Sequence, residues 1–225
     1  MSSSADYENL EQISAENFVA KINRTNTKQV IYLSGIVNDD SLSKHLSSRK
    51  NVEDILNSGT FSLTTLRAGI IVGSGSASFE IIRDLVNKLP IMITPKWLNT
   101  RCQPIAINDV LELLLKSLLN PVTYNQSFDI GGPDILTYKE MLLAFAKAKN
   151  LKRWIFTVPV MTPKLSSYWL YFVTSTSYKL ASALVSSMKV EVVCRDTKIN
   201  ELLQVQPMTY ERALSRALIK VDEDK

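Results

Sequence analysis

The side chains best suited to proton transfer lie in one short charged segment. The chain has a single histidine, His45, and Arg49 and Glu53 follow it at intervals of four residues. On a helix that spacing puts all three side chains on one face. An imidazole can transfer a proton near neutral pH, whereas a guanidinium can hold a phosphate or a ribose but does not titrate. His45 is therefore either an acid–base group or a histidine that lines a helix surface, and Arg49 is either a cofactor contact or the i,i+4 ion partner of Glu53.

Cysteine and histidine are too sparse for a zinc site. Cys102 and Cys194 are 92 residues apart, and with one histidine they cannot complete a Cys/His ligand set. We expect no metal, two free thiols and a reducing compartment, which makes the cytoplasm the expected location. The first twelve residues have neither the cationic nor the apolar part of a signal peptide. The longest uncharged run of the aromatic stretch, residues 165–178, has 14 residues, fewer than the roughly 20 of a membrane-spanning helix.

Glycines and arginines near predicted strand ends are further candidates. The segment Gly73-Ser74-Gly75-Ser76 precedes a predicted helix, so it either binds an anion or is a plain turn with an N-cap. Gly131-Gly132-Pro133 is predicted to be a strand-to-helix turn that also borders a substrate cleft. We expect Arg67, at the end of a buried strand, to be structural and to pair with a carboxylate.

The elements that must position these residues alternate between apolar runs and amphipathic segments, which is typical of an α/β sheet with crossover helices. Residues 6–24 are predicted to form a helix, because the apolar residues Leu10, Ile13, Phe18, Val19 and Ile22 lie on one stripe of helical period. The other predicted helices cover 42–56, 78–89, 109–119, a segment from Thr137 to 149 that starts with a capping box to Glu140, and a last helix from Thr209. The predicted strands cover 29–36, 61–72, 91–94, 101–107, 127–130 and 154–160.

Four segments together resemble the extended short-chain dehydrogenases/reductases. They are HLSSRKNVEDIL (45–56), TTLRAGIIVGSG (64–75), QPIAINDVLELLLKSL (103–118) and FDIGGPDILTYKEML (128–142). The chain is most similar to the atypical, NmrA-like NAD(P)H-binding branch, which is related to the nucleotide-binding accessory subunit of respiratory complex I. The resemblance covers roughly residues 6–205. It implies an α/β fold: a single domain over residues 1–225 with a partial Rossmann-like, doubly wound parallel sheet and a small substrate-side region at about 90–106 and 128–205.

The resemblance also implies a set of site residues. Family enzymes use a tyrosine as general acid, a lysine four residues on and a serine or threonine; those positions hold His45, Arg49 and a site next to Ser34. The implied cofactor is NAD or NADP. Its implied contacts are Ser34, Gly35, Arg49, Ala68, Gly69 and Ile70, the last three through a backbone that faces the nicotinamide. The implied substrate contacts are Gly73, Ser74, Arg101 and Gln103.

The chain departs from the family at its start. Family members open with a strand and a G-x-x-G-x-x-G turn that binds the pyrophosphate, but all seven glycines here lie beyond residue 34. The resemblance implies that roughly seventy residues and four strands are missing, so we expect this chain alone to bind dinucleotide weakly or not at all. Strand 29–36 would then have an unpaired apolar edge. A partner or an upstream segment would cover that edge, or the gene product is incomplete; self-association is the expected result.

Composition indicates an ordinary globular chain, and the resemblance leaves two function classes open. With 225 residues, 45% hydrophobic and 21% charged, the chain is an ordinary globular protein, and a net charge of +4 without a basic run gives no reason to expect nucleic acid. One class is an NAD(P)-binding oxidoreductase or epimerase-like protein that transfers hydride at a carbonyl or sugar carbon of a small-molecule substrate. The other is a non-catalytic nucleotide-sensing or assembly protein. The aromatic residues Tyr168, Trp169, Tyr171 and Phe172 would line an apolar pocket for a quinone-like ligand, rest on a membrane surface, or form core or subunit contacts.

Overall fold

A computed structural model describes residues 4–36, 44–158 and 188–223. Its helices are, in chain order, α1 (Ser4–Ile22), α2 (Lys44–Leu56), α3 (Ala77–Lys88), α4 (Ile107–Ser117), α5 (Tyr138–Ala148), α6 (Lys198–Leu202) and α7 (Tyr210–Glu223). Its strands are β1 (Gln29–Gly35), β2 (Ser62–Ala68), β3 (Ile71–Val72), β4 (Ile91–Pro95), β5 (Arg101–Cys102), β6 (Ile105–Ala106), β7 (Gln126–Ile130), β8 (Leu136–Thr137) and β9 (Trp154–Val158). The chain is therefore α/β, with helices between parallel strands, as predicted. The aromatic residues 168–172 lie outside the described residues.

Two predicted strands are each divided in the structure. The segment 61–72 forms β2 and β3, separated at Gly69, where a Cβ would lie 2.9 Å from Cγ1 of Val192. The segment 101–107 forms β5 and β6, separated at Pro104, which has no N–H to donate to a ladder. The close approach at Gly69 and the missing donor at Pro104 each interrupt a strand that the apolar pattern predicts to be continuous.

The chain forms two compact units, and the first contains a three-stranded parallel sheet. This unit comprises Met1–Ala68, Val110–Ile130 and Cys194–Gln206. The strand order is β1-β2-β7, and all neighbours are parallel. The carboxyl ends of the three strands therefore lie at one edge, where ligands of open α/β sheets usually bind.

Helices α1 and α2 cover one face of this sheet. Val19 and Leu56 pack with Phe61 and Leu63, and Val30 and Tyr32 of β1 pack against this cluster. The apolar stripe of α1 is buried only in part, since Leu10, Ile13 and Phe18 are 56%, 42% and 41% exposed. The helix instead packs along the line of its buried residues Ala15 and Val19.

Helix α4 covers the opposite face. The side chain of Gln29 bonds with Ser117 O and Leu119 N at the end of α4, and its neighbour Thr64 contacts Thr123. Val110 and Leu113 of α4 are fully buried. Other leucines of the same helix are exposed, so only part of its apolar residues face the core.

The second unit comprises Gly69–Asp109, Gly131–Val193 and Pro207–Lys225. It contains three strand pairs, β3-β6 and β4-β9 (parallel) and β5-β8 (antiparallel). Its core includes Phe79 and Phe145, whose ring centroids are 5.7 Å apart. The predicted capping box is confirmed: Glu140 N donates to the Thr137 hydroxyl at 3.1 Å, and Thr137 N donates to the Glu140 carboxylate at 2.7 Å. Among the helices the structure describes, none is long and apolar enough to span a membrane.

Candidate functional site

Three polar side chains lie side by side at the carboxyl edge of the first unit's sheet. Ser34 of β1 pairs in register with Arg67 of β2, and Arg67 pairs with Asp129 of β7. Because partners in register point to the same face of a parallel sheet, all three face the side covered by α1 and α2. The edge thus carries a hydroxyl, a guanidinium and a carboxylate in a row.

Arg67 is held by α2. Its Nε and Nη2 donate to the two carboxylate oxygens of Glu53 at 3.1 and 2.6 Å. Ser127 of β7 donates to the same carboxylate at 2.7 Å, and the Arg67 and Glu53 side chains are 19% and 11% exposed. The expectation that Arg67 pairs with a carboxylate is confirmed. Glu53 therefore connects α2 to β2 and β7, close to the carboxyl ends of these strands.

Asp129 is paired with Arg195, which sequence reasoning did not single out. The guanidinium donates to both carboxylate oxygens at 2.8 and 3.0 Å, and the backbone N–H of Arg195 donates at 3.1 Å. The hydrogen bonds that Arg195 donates to Asp129 raise the pKa of this arginine, whose side chain is half exposed. A carboxylate in a buried strand does signal that a cation must accompany it. No local pattern identifies that cation 66 residues later.

Ser34 differs from the rest of the row because its hydroxyl is buried yet unpaired. The residue is 8% exposed, and no described residue accepts from or donates to its Oγ. Tyr32 and Thr65, on the same face, also have buried hydroxyls without a partner in the described part of the chain. A buried polar group that is not hydrogen-bonded costs free energy. At the ligand edge of a sheet, such a hydroxyl is available to a bound molecule.

The other two predicted catalytic residues lie on α2. His45 is in the first turn of the helix, and its side chain is outside the described part of the structure, so its role stays a prediction. Arg49 Nη2 lies 3.5 Å from Oε1 of Glu11 on α1, and Ser48 donates to the same carboxylate. Arg49 is thus drawn to the neighbouring helix, while Glu53, its alternative partner, binds Arg67.

The backbone predicted to face a nicotinamide is partly used by the protein. Gly35 and Ala68 end β1 and β2 and are partners in register, and Ala68 O accepts from Ile36 N at 3.1 Å. Gly69 and Ile70 belong to the second unit, where Ile70 O accepts from Ile105 N at 2.9 Å. Ala68 and Ile70 thus each use their carbonyl oxygen for a hydrogen bond within the protein.

The glycine turn before α3 already holds a carboxylate of the chain itself. Gly75, with φ of 81°, donates its N–H to Glu80 at 3.3 Å, and Ser76 is the N-cap. A Cβ at Gly73 would lie 2.6 Å from Ile107, so glycine is needed there for close packing. Ser74, the other predicted substrate contact, is half-buried. This geometry favours the plain-turn alternative over an anion site.

Arg101 and Gln103 make contacts inside the second unit. Arg101 donates through Nε and Nη2 to Glu191, both at 2.9 Å, in an exposed ion pair. Gln103 is buried; its Nε2 donates to Gly132 O at 2.7 Å and its backbone N to Val192 O at 2.9 Å. The sequence resemblance predicted that both residues contact substrate. In the structure, Gln103 connects the backbone segments at Gly132 and Val192 within the second unit.

The thiols are poorly suited to nucleophilic chemistry. Burial, and then the charge of Glu140, raises the pKa of Cys102 to about 12. Burial, and then the charge of Asp129, raises the pKa of Cys194 to about 12. In the described ranges no three His, Cys, Asp or Glu side chains are grouped so that they could hold a metal ion.

Comparison with known proteins gives structural matches alone. No family model matches the chain, and none of the curated proteins matches it in sequence. A nucleoside-diphosphate-sugar epimerase from Staphylococcus aureus superposes with a TM-score of 0.68 at 16% identity, over 89% of this chain and 69% of the epimerase. An NADPH-dependent quinone oxidoreductase from Escherichia coli, solved with NADPH, gives a TM-score of 0.69 at 14% identity, over 89% and 69%.

A third solved structure agrees with these two. A UDP-glucuronic acid 4-epimerase from Bacillus cereus, in complex with UDP-glucuronic acid and NAD, gives a TM-score of 0.67 at 10% identity, over 96% of this chain and 68% of the epimerase. The chain therefore has the Rossmann-type α/β fold of these epimerases and reductases, which is the fold that its sequence resemblance implied.

Proposed function

We propose that the chain is an NAD(P)-linked oxidoreductase or epimerase-like protein whose reacting groups meet at the carboxyl edge of β1, β2 and β7. The observation that carries the proposal is Ser34, whose buried hydroxyl at that edge has no hydrogen-bond partner among the described residues. The fold supports it, since similar structures were solved with NADPH or with NAD and a nucleotide sugar. A bound nicotinamide would supply or accept hydride at a carbonyl or sugar carbon.

In this proposal each residue has a separate task. Ser34 hydrogen-bonds the carbonyl or hydroxyl of a small substrate and orients it. His45, three helical turns from the C-terminal end of α2, transfers the proton that accompanies hydride transfer. Gly35 and Ala68 line the edge through their backbone, and Arg49 contributes a positive charge near it. Four residues remain predicted substrate contacts, although the hydrogen bonds that they make do not support this role. They are Gly73, Ser74, Arg101 and Gln103.

A second candidate is a non-catalytic protein that senses a nucleotide or assists assembly. The ion pair of Arg49 with Glu11 favours it, because a guanidinium held by a carboxylate is less available to a cofactor. Arginine also cannot release a proton as a lysine can. Both candidate functions place the ligand at the same edge of the sheet, so a measurement of turnover distinguishes them.

The proposal includes weak dinucleotide binding by the 225 residues as they stand, since they contain no G-x-x-G-x-x-G turn. We further propose that the protein works in a reducing compartment such as the cytoplasm. Two free cysteines, Cys102 and Cys194, support that location.

The test combines titration with turnover on the full chain. NADH and NADPH are titrated by calorimetry, and oxidation of each is then followed at the highest cofactor concentration with simple carbonyl and quinone acceptors. For the enzyme, His45→Ala lowers turnover by about two to four orders of magnitude with cofactor affinity little changed. Binding without any turnover favours the non-catalytic candidate. No binding of either dinucleotide up to millimolar concentration would contradict both.

A further inference from the structure

Strand β1 has one hydrogen-bonding edge that no described residue covers. Its neighbour is β2, toward which Lys28 O and Ile36 N point, bonding Ser62 N and Ala68 O. Because backbone groups alternate in direction along a strand, the N–H and C=O of Ile31 and Leu33 point away from β2. The seven residues of β1 include no charge and no proline, the usual devices that protect an edge.

Helix α4 carries an exposed leucine face. Leu111 and Leu115 of the helix, and Leu118 directly after its last residue, are 50%, 71% and 60% exposed, and their spacing of four and three residues is that of a helix–helix seam. The neighbouring flank of the helix is polar, with Glu112 and Lys116 in an ion pair at 2.8 Å. The leucine face is therefore a narrow apolar stripe on an otherwise polar surface.

The leucine face lies on the same side of the unit as the free edge of β1. Lys116 on the polar flank donates to Gln204 O at 2.9 Å, just after α6, and α6 contacts β7. Since β7 and β1 are at opposite edges of the sheet, the other flank of α4 is turned toward β1. The end of α4 is tied to the start of β1 by Gln29. The β1 edge and the leucine face are thus turned to the same side of the unit, and together they are called the dimer surface.

We propose that a second copy of this chain docks on this surface. The two β1 edges pair antiparallel about a two-fold axis, and the leucine faces of the two α4 helices pack across it. The surface is self-complementary. The uncharged β1 edge of one copy can hydrogen-bond the same edge of the other, and the leucine face of one α4 can pack on the leucine face of the other. Its lack of charge favours a like copy, which a charged surface would repel, over a charged partner.

The size of the surface fits a stable dimer. A seven-residue strand is about 23 Å long, and a sheet with a helix on each face is roughly 30 Å thick, so the edge presents on the order of 700 Å². Stable complexes bury about 800 Å² per partner. The dimer goes beyond the proposed function, since it does not depend on any ligand.

The experiment is sedimentation equilibrium of the full chain from micromolar to submillimolar concentration, with two matched variants. Leu115→Glu puts a charge in the seam, and we expect it to raise the dimer dissociation constant at least about a hundredfold. Leu202→Glu puts the same charge on α6, at a residue that is 50% exposed, and should leave the dimer unchanged. Both sites are exposed, so circular dichroism should show two folded variants.

Amide hydrogen exchange locates the interface independently. In the dimer the amides of Ile31 and Leu33 should be protected from exchange, and dilution or Leu115→Glu should remove that protection. The amide of Tyr32 points to β2 and should stay protected throughout. A monomer at every concentration, or open aggregates instead of a dimer, would overturn the proposal. So would a dimer that survives Leu115→Glu, equal weakening by both variants, or Ile31 and Leu33 amides whose protection does not depend on concentration.

Discussion

Arg67 and Arg101 each make a two-bond ion pair with a glutamate, but water reaches the two pairs very differently. The Arg67 and Glu53 side chains are 19% and 11% exposed, whereas those of Arg101 and Glu191 are 60% and 46% exposed. An exposed pair gains little over its hydrated charges. Removing one partner of a buried pair leaves an uncompensated charge, which is costly. The two arginines therefore form a matched comparison within one chain.

We expect Arg67→Ala to lower the free energy of unfolding by about 3–5 kcal/mol, because Glu53 stays buried without its cation. Arg101→Ala should cost less than about 1 kcal/mol. Urea denaturation of both variants measures the difference, and Arg67→Lys, which keeps the charge but loses the fork, should fall between them. Equal losses for the two alanine variants would show that Glu53 does not depend on Arg67.

The thiol pKa values predict slow modification of the folded protein. At pH 8 a thiol with a pKa of about 12 has about a thousandfold less thiolate than one with the ordinary value of 9.0. We expect iodoacetamide to label Cys102, in a Cys194→Ala variant, at least a hundredfold more slowly in the folded chain than in urea. The raised pKa also stabilises the folded state below pH 9, a contribution that is lost as the pH rises toward 12. Labelling of the folded chain at the unfolded rate would contradict the burial of Cys102.

At the scale of single elements, α5 has a cap that can be removed without touching the core. Thr137 accepts from Glu140 N, and the Glu140 carboxylate accepts from both the backbone and the hydroxyl of Thr137. Helix α6 offers the control, since its N-cap Thr197 makes no side-chain capping bond. We expect Thr137→Ala to cost about 1 kcal/mol and Thr197→Ala close to nothing, measured by urea denaturation.

The same cap predicts a dependence on acid. Hydrogen bonds from the Thr137 backbone and then from its hydroxyl lower the pKa of Glu140. A lowered carboxyl pKa contributes stability above its ordinary value, which is lost as the pH falls through the lowered value. The melting temperature of Thr137→Ala should therefore approach that of the parent below pH 4, while the gap stays constant above pH 6. A gap that does not depend on pH would remove Glu140 from the cap.

Element ends were predictable wherever a residue dictates local geometry. The capping box of Thr137 and Glu140 starts α5 as predicted, and the helices predicted to end at residues 56 and 89 end at Leu56 and Lys88. Periodicity was less informative about which apolar face finds a partner. Leu10 on α1 and Leu115 on α4 fit helical stripes but stay exposed, because burial depends on what lies opposite each helix.

The candidate site was predictable only in part for a similar reason. The family resemblance placed Ser34 and Gly35 at the end of a strand. The position of Arg67 at the end of a buried strand predicted that it pairs with a carboxylate. The Asp129–Arg195 pair joins residues far apart in the chain, so it needs the tertiary structure to be seen.

At the scale of the whole molecule, each of the two units has its own core, and the proposed ligand edge belongs to the first. That edge combines ion pairs with the Ser34 hydroxyl, which has no hydrogen-bond partner in the described part of the chain. Natural ligand sites often keep such a group at some expense of stability. If Ser34 serves a ligand, replacing it should weaken binding without weakening the fold.

The most direct test is a ¹H–¹⁵N titration of the full chain with NADH and with NADPH, comparing Ser34→Ala with Thr65→Val. Both variants remove a buried hydroxyl that has no partner among the described residues, so both should keep or raise the free energy of unfolding. We predict weak binding whose largest shifts are at the amides of Ser34, Gly35 and Ala68. Ser34→Ala should weaken it about three- to tenfold and Thr65→Val should not. Shifts centred elsewhere, or an equal response of the two variants, would contradict a ligand site at the carboxyl edge of β1, β2 and β7.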